Sequence, residues 1–186
     1  MAESPITNES TLIPPVIQKL KSEVVRDNQT GITLTPFNGS EVDKYKEWFS
    51  DPEVLKFLHP NTPFTKDPSK KVSVEEFIRY ICEDPGSAYF RIEHPTYGFV
   101  GHISLSSINL NNMSFSEAYV IGEKQHWGKG IMTTVDTMIL NRAKGLGFKT
   151  AKAIAISDNT ASIKILTKQF GEGIREGNHI NFTKAL

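Results

Sequence analysis

The sequence predicts an α+β domain: one mixed central sheet of about six to seven strands, flanked by helices. Three observations predict it. After a short alternating strand over Ile32–Phe37, the apolar period is helical to Cys82, becomes two between Ala88 and Ile121, and then alternates between helix and strand to the C-terminus. Two turn stretches, Pro95-Thr96-Tyr97-Gly98 and Asn109 to Ser114, divide the period-two region into three strands, which makes an antiparallel meander. Finally, Thr150 to Ile156 (TAKAIAI) is reached through a helix, so it runs parallel to the strand before that helix.

Element by element, residues 1–30 are polar and carry Pro5, Pro14 and Pro15, with one short amphipathic helix over Val16–Val25; they read as an extension to a domain spanning 31–186. Ile32 to Phe37 is a strand, with Pro36 placing it at an edge or terminus. Ser40, with Asp43 three residues on, reads as the cap of a helix running to about Ser50. A second short helix follows over Glu53–Leu58 with Pro52 in its first turn, then a proline-containing loop from His59 to Pro68. Ser73 caps a helix over Val74–Cys82 that Asp84-Pro85-Gly86 stops. After the meander, a helix opens at Ile131 and ends at Gly145 or Gly147. Ser157-Asp158-Asn159 caps a last helix to about Gln169, and two brief strands turn about Glu176-Gly177-Asn178.

The 186 residues have a formal net charge of zero, so no overall field attracts nucleic acid or an anionic membrane surface. The lone Cys82 excludes a disulfide framework, and the five dispersed histidines carry no metal-ligand spacing, so no metal is expected. No charged-then-apolar leader and no long apolar segment is visible, which points to a cytoplasmic protein acting off the membrane, as a monomer or homodimer.

The densest chemistry lies in Tyr119 to Thr133, YVIGEKQHWGKGIMT: a strand, a glycine loop and a helix. Such a unit directs several unpaired N–H groups and the positive end of a helix dipole to one point. A phosphate fits there, with Lys129 adding charge at the rim. A glycine turn that merely allows positive φ is the plainer alternative. If the strands at 115–121 and 150–156 part at their C-terminal ends, the gap accepts an amide-bearing arm as an added strand, with Asn159 at the other lip. Pyrophosphate plus a peptide-like arm describes coenzyme A.

At this point the chain resembles the GNAT superfamily of acyl-CoA N-acyltransferases over about residues 31–175, and within it the branch that acetylates ribosomal-protein serine or alanine N-termini. The superfamily phrase Q/R-x-x-G-x-G/A is matched by Gln125-His126-Trp127-Gly128-Lys129-Gly130, inside the wider IGEKQHWGKG. Asn159-Thr160-Ala161-Ser162 matches the branch's N-x-x-S. Lys168-Gln169-Phe170-Gly171 follows with its last two residues transposed, and the opening ITLTPFNGSEVDKYKEWFSDPEVLKFL resembles the branch's first strand and paired helices.

The resemblance implies acetyl-CoA as co-substrate, with Gln125, His126, Trp127, Gly128, Lys129, Gly130, Ile131, Met132 and Thr133 holding pyrophosphate. It implies that the backbone of Tyr119, Val120 and Ile121 pairs with the pantetheine arm, one N–H serving as oxyanion donor. The tyrosine that many members use as the thiolate's acid is replaced here by Leu166, so Ser162 takes that role; otherwise it is an ordinary first-turn hydroxyl. Glu117, on the same strand face as Tyr119, is the candidate base, directly or through water, against the reading of an exposed strand carboxylate. His102 and Glu123 are weaker candidates. The acceptor is a primary amine, a protein N-terminus ahead of a small molecule such as an aminoglycoside, polyamine, amino sugar or aminoacylated toxin. Its wall is expected between Trp48 and Cys82 and at the Asn109–Ser114 turn; the acidic residues there (Asp51, Glu53, Asp67, Glu75, Glu76, Glu83) are matched by Lys56, Lys66, Lys70, Lys71 and Arg79, so the sequence does not choose the acceptor. A catalytically silent CoA-binding module is the alternative of another class.

Overall fold

The computed structural model describes residues 13–58 and 72–186. The predicted loop from His59 to Pro68, with Lys66, Asp67, Lys70 and Lys71, and the first twelve residues of the extension lie outside the described residues. In chain order the elements are α1 (Pro15–Ser22), β1 (Val25–Arg26), β2 (Thr33–Pro36), α2 (Val42–Ser50), α3 (Pro52–Leu55) and α4 (Val74–Glu83). There follow β3 (Ala88–His94), β4 (Gly98–Asn109), β5 (Ser114–Ile121), α5 (Ile131–Gly145), β6 (Thr150–Ile156), α6 (Thr160–Phe170), β7 (Ile174–Glu176) and β8 (His179–Ala185).

One mixed sheet runs β1-β2-β3-β4-β5-β6-β8-β7. It has one strand more than the upper end of the predicted range, because Val25 and Arg26 pair with Leu34 and Thr33 and extend the edge. The β3-β4-β5 meander is antiparallel and β5-β6 is the parallel pair. Burial separates the two faces. Leu20 of α1, the apolar stripe of α5 and Leu166 and Phe170 of α6 cover one face, meeting Phe90, Ile92, Ile103 and Phe115. Tyr45 and Trp48 of α2, Val54 of α3, and Ile78 and Ile81 of α4 cover the other, meeting Val120. Residues 13–26 of the polar extension therefore take part in this packing. Leu20 is fully buried, and the Arg142 guanidinium ties α1 to α5 through the Lys19 carbonyl (2.8 Å) and Glu23 (2.5 Å).

Side-chain capping explains the starts of α3, α4 and α6. Ser73 and Glu76 form a reciprocal capping box for α4, and Asp51 accepts from the Glu53 N–H ahead of Pro52 in α3. The predicted Ser40 cap is not formed. Asn38 Oδ1 captures the Ser40 hydroxyl (2.8 Å) and N–H, the Arg91 guanidinium approaches from β3, and α2 starts from Glu41 without a side-chain cap.

Candidate active site: a cleft where β5 and β6 part

The pairing of β5 with β6 stops at Glu117↔Ala153. Beyond it, β5 stays with β4 through Ile121, and β6 stays with β8 through Ile156. Two parallel strands thus separate at their C-terminal ends, where ligand sites of open sheets form. The gap opens into a cleft of about 440 Å³. Alternation along β5 decides which backbone groups reach it. The Gly122 N–H donates to the Val100 carbonyl of β4, and Ser104 Oγ donates to the Ala118 carbonyl, so the even residues present their amides to β4. Tyr119 and Ile121 face the gap. Val120, expected to pair with the arm through its backbone, is turned to β4 and contributes its side chain instead.

The floor of the cleft is the glycine loop. Gly128 and Gly130 have φ of +72° and +78°, and a Cβ on either would meet nothing within 4 Å. Backbone strain, not crowding, therefore selects glycine at both positions. Gly130 is the N-cap of α5 and no side chain caps that helix. Its first N–H groups are left for an external acceptor, at the positive end of a fifteen-residue dipole. These features fit a pyrophosphate. Trp127 is exposed, and its Nε1–H donates to the Ile121 carbonyl at 2.7 Å, which folds the loop back onto the strand end. Every cofactor-side residue expected from the sequence lines this cleft except Gln125, which is exposed outside it.

On the α6 side, the Asn159 side chain accepts from the Ser162 N–H at 3.1 Å and fixes the first turn. Ser162 Oγ then lies 2.9 Å from the Tyr119 hydroxyl, two O–H groups from opposite walls meeting across the gap. Burial pushes the Tyr119 phenol well above its ordinary range, so the pair is neutral. Leu166 is buried in the core.

Glu117 is not in the cleft. It is 5% exposed and faces Asp136 of α5, which is fully buried. No other donor reaches either carboxyl group among the described residues. Burial, then the neighbouring Asp136, drives Glu117 far above the ordinary carboxylate range, and burial raises Asp136 to about 7. Enclosure of two carboxyls without a counter-charge favours the protonated form of each. That removes Glu117 from direct contact with an acceptor amine. Asp136 was not singled out from the sequence; its signal was a carboxylate inside the Met132-Asp136-Ile139-Ala143 stripe of α5.

His102 lies on the opposite face, fully enclosed among Phe37, Tyr45, Phe77 and Tyr89, and desolvation lowers it to about 4. Its Nδ1 is 2.6 Å from the Tyr45 hydroxyl. Glu123 is ion-paired to Lys44 at 2.7 Å, while Lys124 bridges to Asp51 (2.8 Å) and Glu53 (2.6 Å). The acidic-Lys pair thus docks α2 and α3 against the loop, and brings Glu53, Val54, Phe57 and Leu58 to the cleft. The Asn109–Ser114 turn does not join that wall. It precedes β5 and sits at the strand's opposite end, roughly 17 Å of extended chain from Tyr119.

A family model for the acetyltransferase (GNAT) domain matches residues 32–169. The chain belongs to the GNAT acetyltransferase family. A domain from Methanocaldococcus jannaschii superposes with a TM-score of 0.67 at 23% identity, over 83% of this chain and 98% of that one. RimL, a ribosomal alpha-N-protein acetyltransferase solved with coenzyme A, gives 0.67 at 15% identity, over 88% and 98%. The spermidine N-acetyltransferase of Vibrio cholerae, solved with CoA and spermine, gives 0.66 at 15%, over 85% and 96%. A search of curated proteins found no significant match. Among the described residues, no group of side chains is arranged to hold a metal ion, and no helix is long and apolar enough to cross a membrane.

Proposed function

We propose that this GNAT protein is an acetyl-CoA-dependent N-acetyltransferase of the cytoplasm whose acceptor is a protein N-terminal α-amine. The observation that carries the reading is the gap after Glu117↔Ala153, with uncapped α5 amides at one end and the Tyr119–Ser162 hydroxyl pair at the other. The amides of Gly128 to Thr133 hold pyrophosphate, and the outward amides of Tyr119 and Ile121 hold the arm and polarise the thioester carbonyl. The neutral amine attacks the carbonyl carbon, and the new C–N bond replaces the C–S bond. The amine proton leaves to water, the departing thiolate takes a proton from Ser162, which Tyr119 orients, and water returns a proton to Ser162.

Electrostatics of the described wall favours an N-terminus over a polyamine. Glu53 is the one carboxylate residue on the described lining and is already paired with Lys124, while Lys129, Lys164 and Lys168 also line the cleft. A polycation meets no free carboxylate there. Resemblance of the IGEKQHWGKG and Asn159–Ser162 phrases to the ribosomal-protein branch supports the same acceptor.

Ser162→Ala is expected to lower kcat about 10- to 100-fold, with CoA affinity within roughly twofold of wild type. Thiol release and calorimetry read the two quantities, and an unaffected kcat removes Ser162 as the acid. A thiol-release screen against ribosomal-protein N-terminal peptides, polyamines, aminoglycosides and amino sugars tests the acceptor. Turnover on peptides is the expected result; turnover on polyamines alone redirects the reading, and silence with CoA still bound makes the protein a binding module.

A further inference from the structure

Within the loop from Gln125 to Gly130 only the His126 side chain is buried, at 7% exposure. What covers it comes from the β3–β4 turn. The Tyr97 ring lies parallel to the His126 ring, centroids 4.0 Å apart and planes 13° apart. The His94 ring lies parallel to Tyr97 at 4.2 Å and 15°. Two rings each about 4 Å from one centroid do not fit on the same face, so Tyr97 is sandwiched between the histidines. The same tyrosine receives Lys129: Nζ donates to the Tyr97 hydroxyl at 3.4 Å and sits 4.8 Å from its ring centroid. The His94 end is itself anchored, because its Nδ1 accepts the Thr96 N–H at 3.2 Å. The hairpin turn at the start of β4, beside the C-terminal end of β5, thus grips both the buried residue and the cation of the glycine loop.

We propose that Tyr97 is a positioning residue for the cofactor loop, clamping His126 and Lys129 so that the Gly128–Gly130 amides are preset for pyrophosphate. The proposal rests on the acetyl-CoA reading of that loop. Glycines at 128 and 130 leave the loop few intrinsic restraints, and the amides are useful only if held in one arrangement before ligand arrives. Trp127 secures one side of the loop to Ile121, and the His94–Tyr97–His126 stack secures the other.

Two readouts test it, one without ligand. Limited trypsin digestion of the unliganded protein, followed by mass spectrometry, reports loop opening through cleavage after Lys124 and Lys129. Calorimetry with CoA and steady-state kinetics report the consequence. For Tyr97→Ala we expect faster cleavage at these lysines, a roughly tenfold rise in CoA Kd and acetyl-CoA KM, and kcat within about twofold. Tyr97→Phe keeps the stack and should stay within about threefold on affinity. His126→Ala should match Tyr97→Ala, and the double variant should lose no more than either single one. Wild-type CoA affinity in Tyr97→Ala overturns the proposal, as does an equal loss in Tyr97→Phe, which would place the effect on the hydroxyl. A wild-type protein that binds no CoA overturns the acetyl-CoA reading as well, and the trypsin result then reports on the stack alone.

Discussion

Gly128→Glu is expected to weaken acetyl-CoA binding by at least ~100-fold while the protein stays folded. Two terms add. A residue with a side chain at φ +72° carries strain of roughly 1–2 kcal/mol, which the unliganded loop relieves by relaxing out of the binding arrangement. A carboxylate beside a bound pyrophosphate adds repulsion on the order of 4 kcal/mol per charge at about 4 Å and an effective dielectric of about 20. At about 1.4 kcal/mol per tenfold, the sum is well beyond a factor of 100. The Cβ meets nothing within 4 Å, so the substitution has room and the fold does not have to yield. Gly128→Ala separates the terms: it carries the strain alone and should lose roughly tenfold. Calorimetric titration of both variants checks this, and wild-type affinity in Gly128→Glu would remove the phosphate assignment of the loop.

The second large effect is on stability against pH. Glu117 and Asp136 have folded pKa values raised from 4.5 and 3.8, Asp136 to about 7. Above the unfolded values the native state holds a proton that the unfolded chain has released. Native-state stability is therefore fully present in acid and is lost as pH rises through the folded values. One retained proton gives a slope of about 1.4 kcal/mol per pH unit. His102 acts with the opposite sign, since its folded pKa is lowered from 6.5 to about 4 and the unfolded chain takes up its proton first. The double variant Glu117→Gln/Asp136→Asn leaves the His102 contribution unchanged and removes both carboxyls. Urea denaturation between about pH 5 and about pH 8 should then show a wild-type minus variant difference that falls steadily with pH. A difference independent of pH would mean that neither carboxyl retains a proton in the folded state.

Much of the fold was legible because it is carried by short-range patterns. The period-two runs from Ala88 to Ile121, the turn residues between them and the Ser73–Glu76 box all act within a few residues, and they appear in the structure as read. Ser40 was misread because its cap geometry competes with Asn38, two residues away, and with Arg91 from another strand. The two-residue β1 is too short to show a period. On the cofactor side, the glycine loop and the Asn159–Ser162 turn could be placed because backbone conformation and helix capping are local properties. Features that depend on tertiary approach were not visible. Glu117 meets Asp136 only because β5 packs under α5, and Tyr97 meets His126 only because the meander returns the turn beside the loop. The direction of Val120's amides depends on which neighbour β5 keeps beyond Glu117, a choice made by the parting of the strands.

The most direct test is acetyl-CoA turnover on a peptide with a free N-terminal α-amine and internal lysines, run beside the same peptide with a blocked N-terminus. The account predicts one free CoA thiol for each peptide acetylated at its α-amine, and no turnover on the blocked peptide. Equal turnover on the blocked peptide, or thiol release with no acetylated amine, would contradict it.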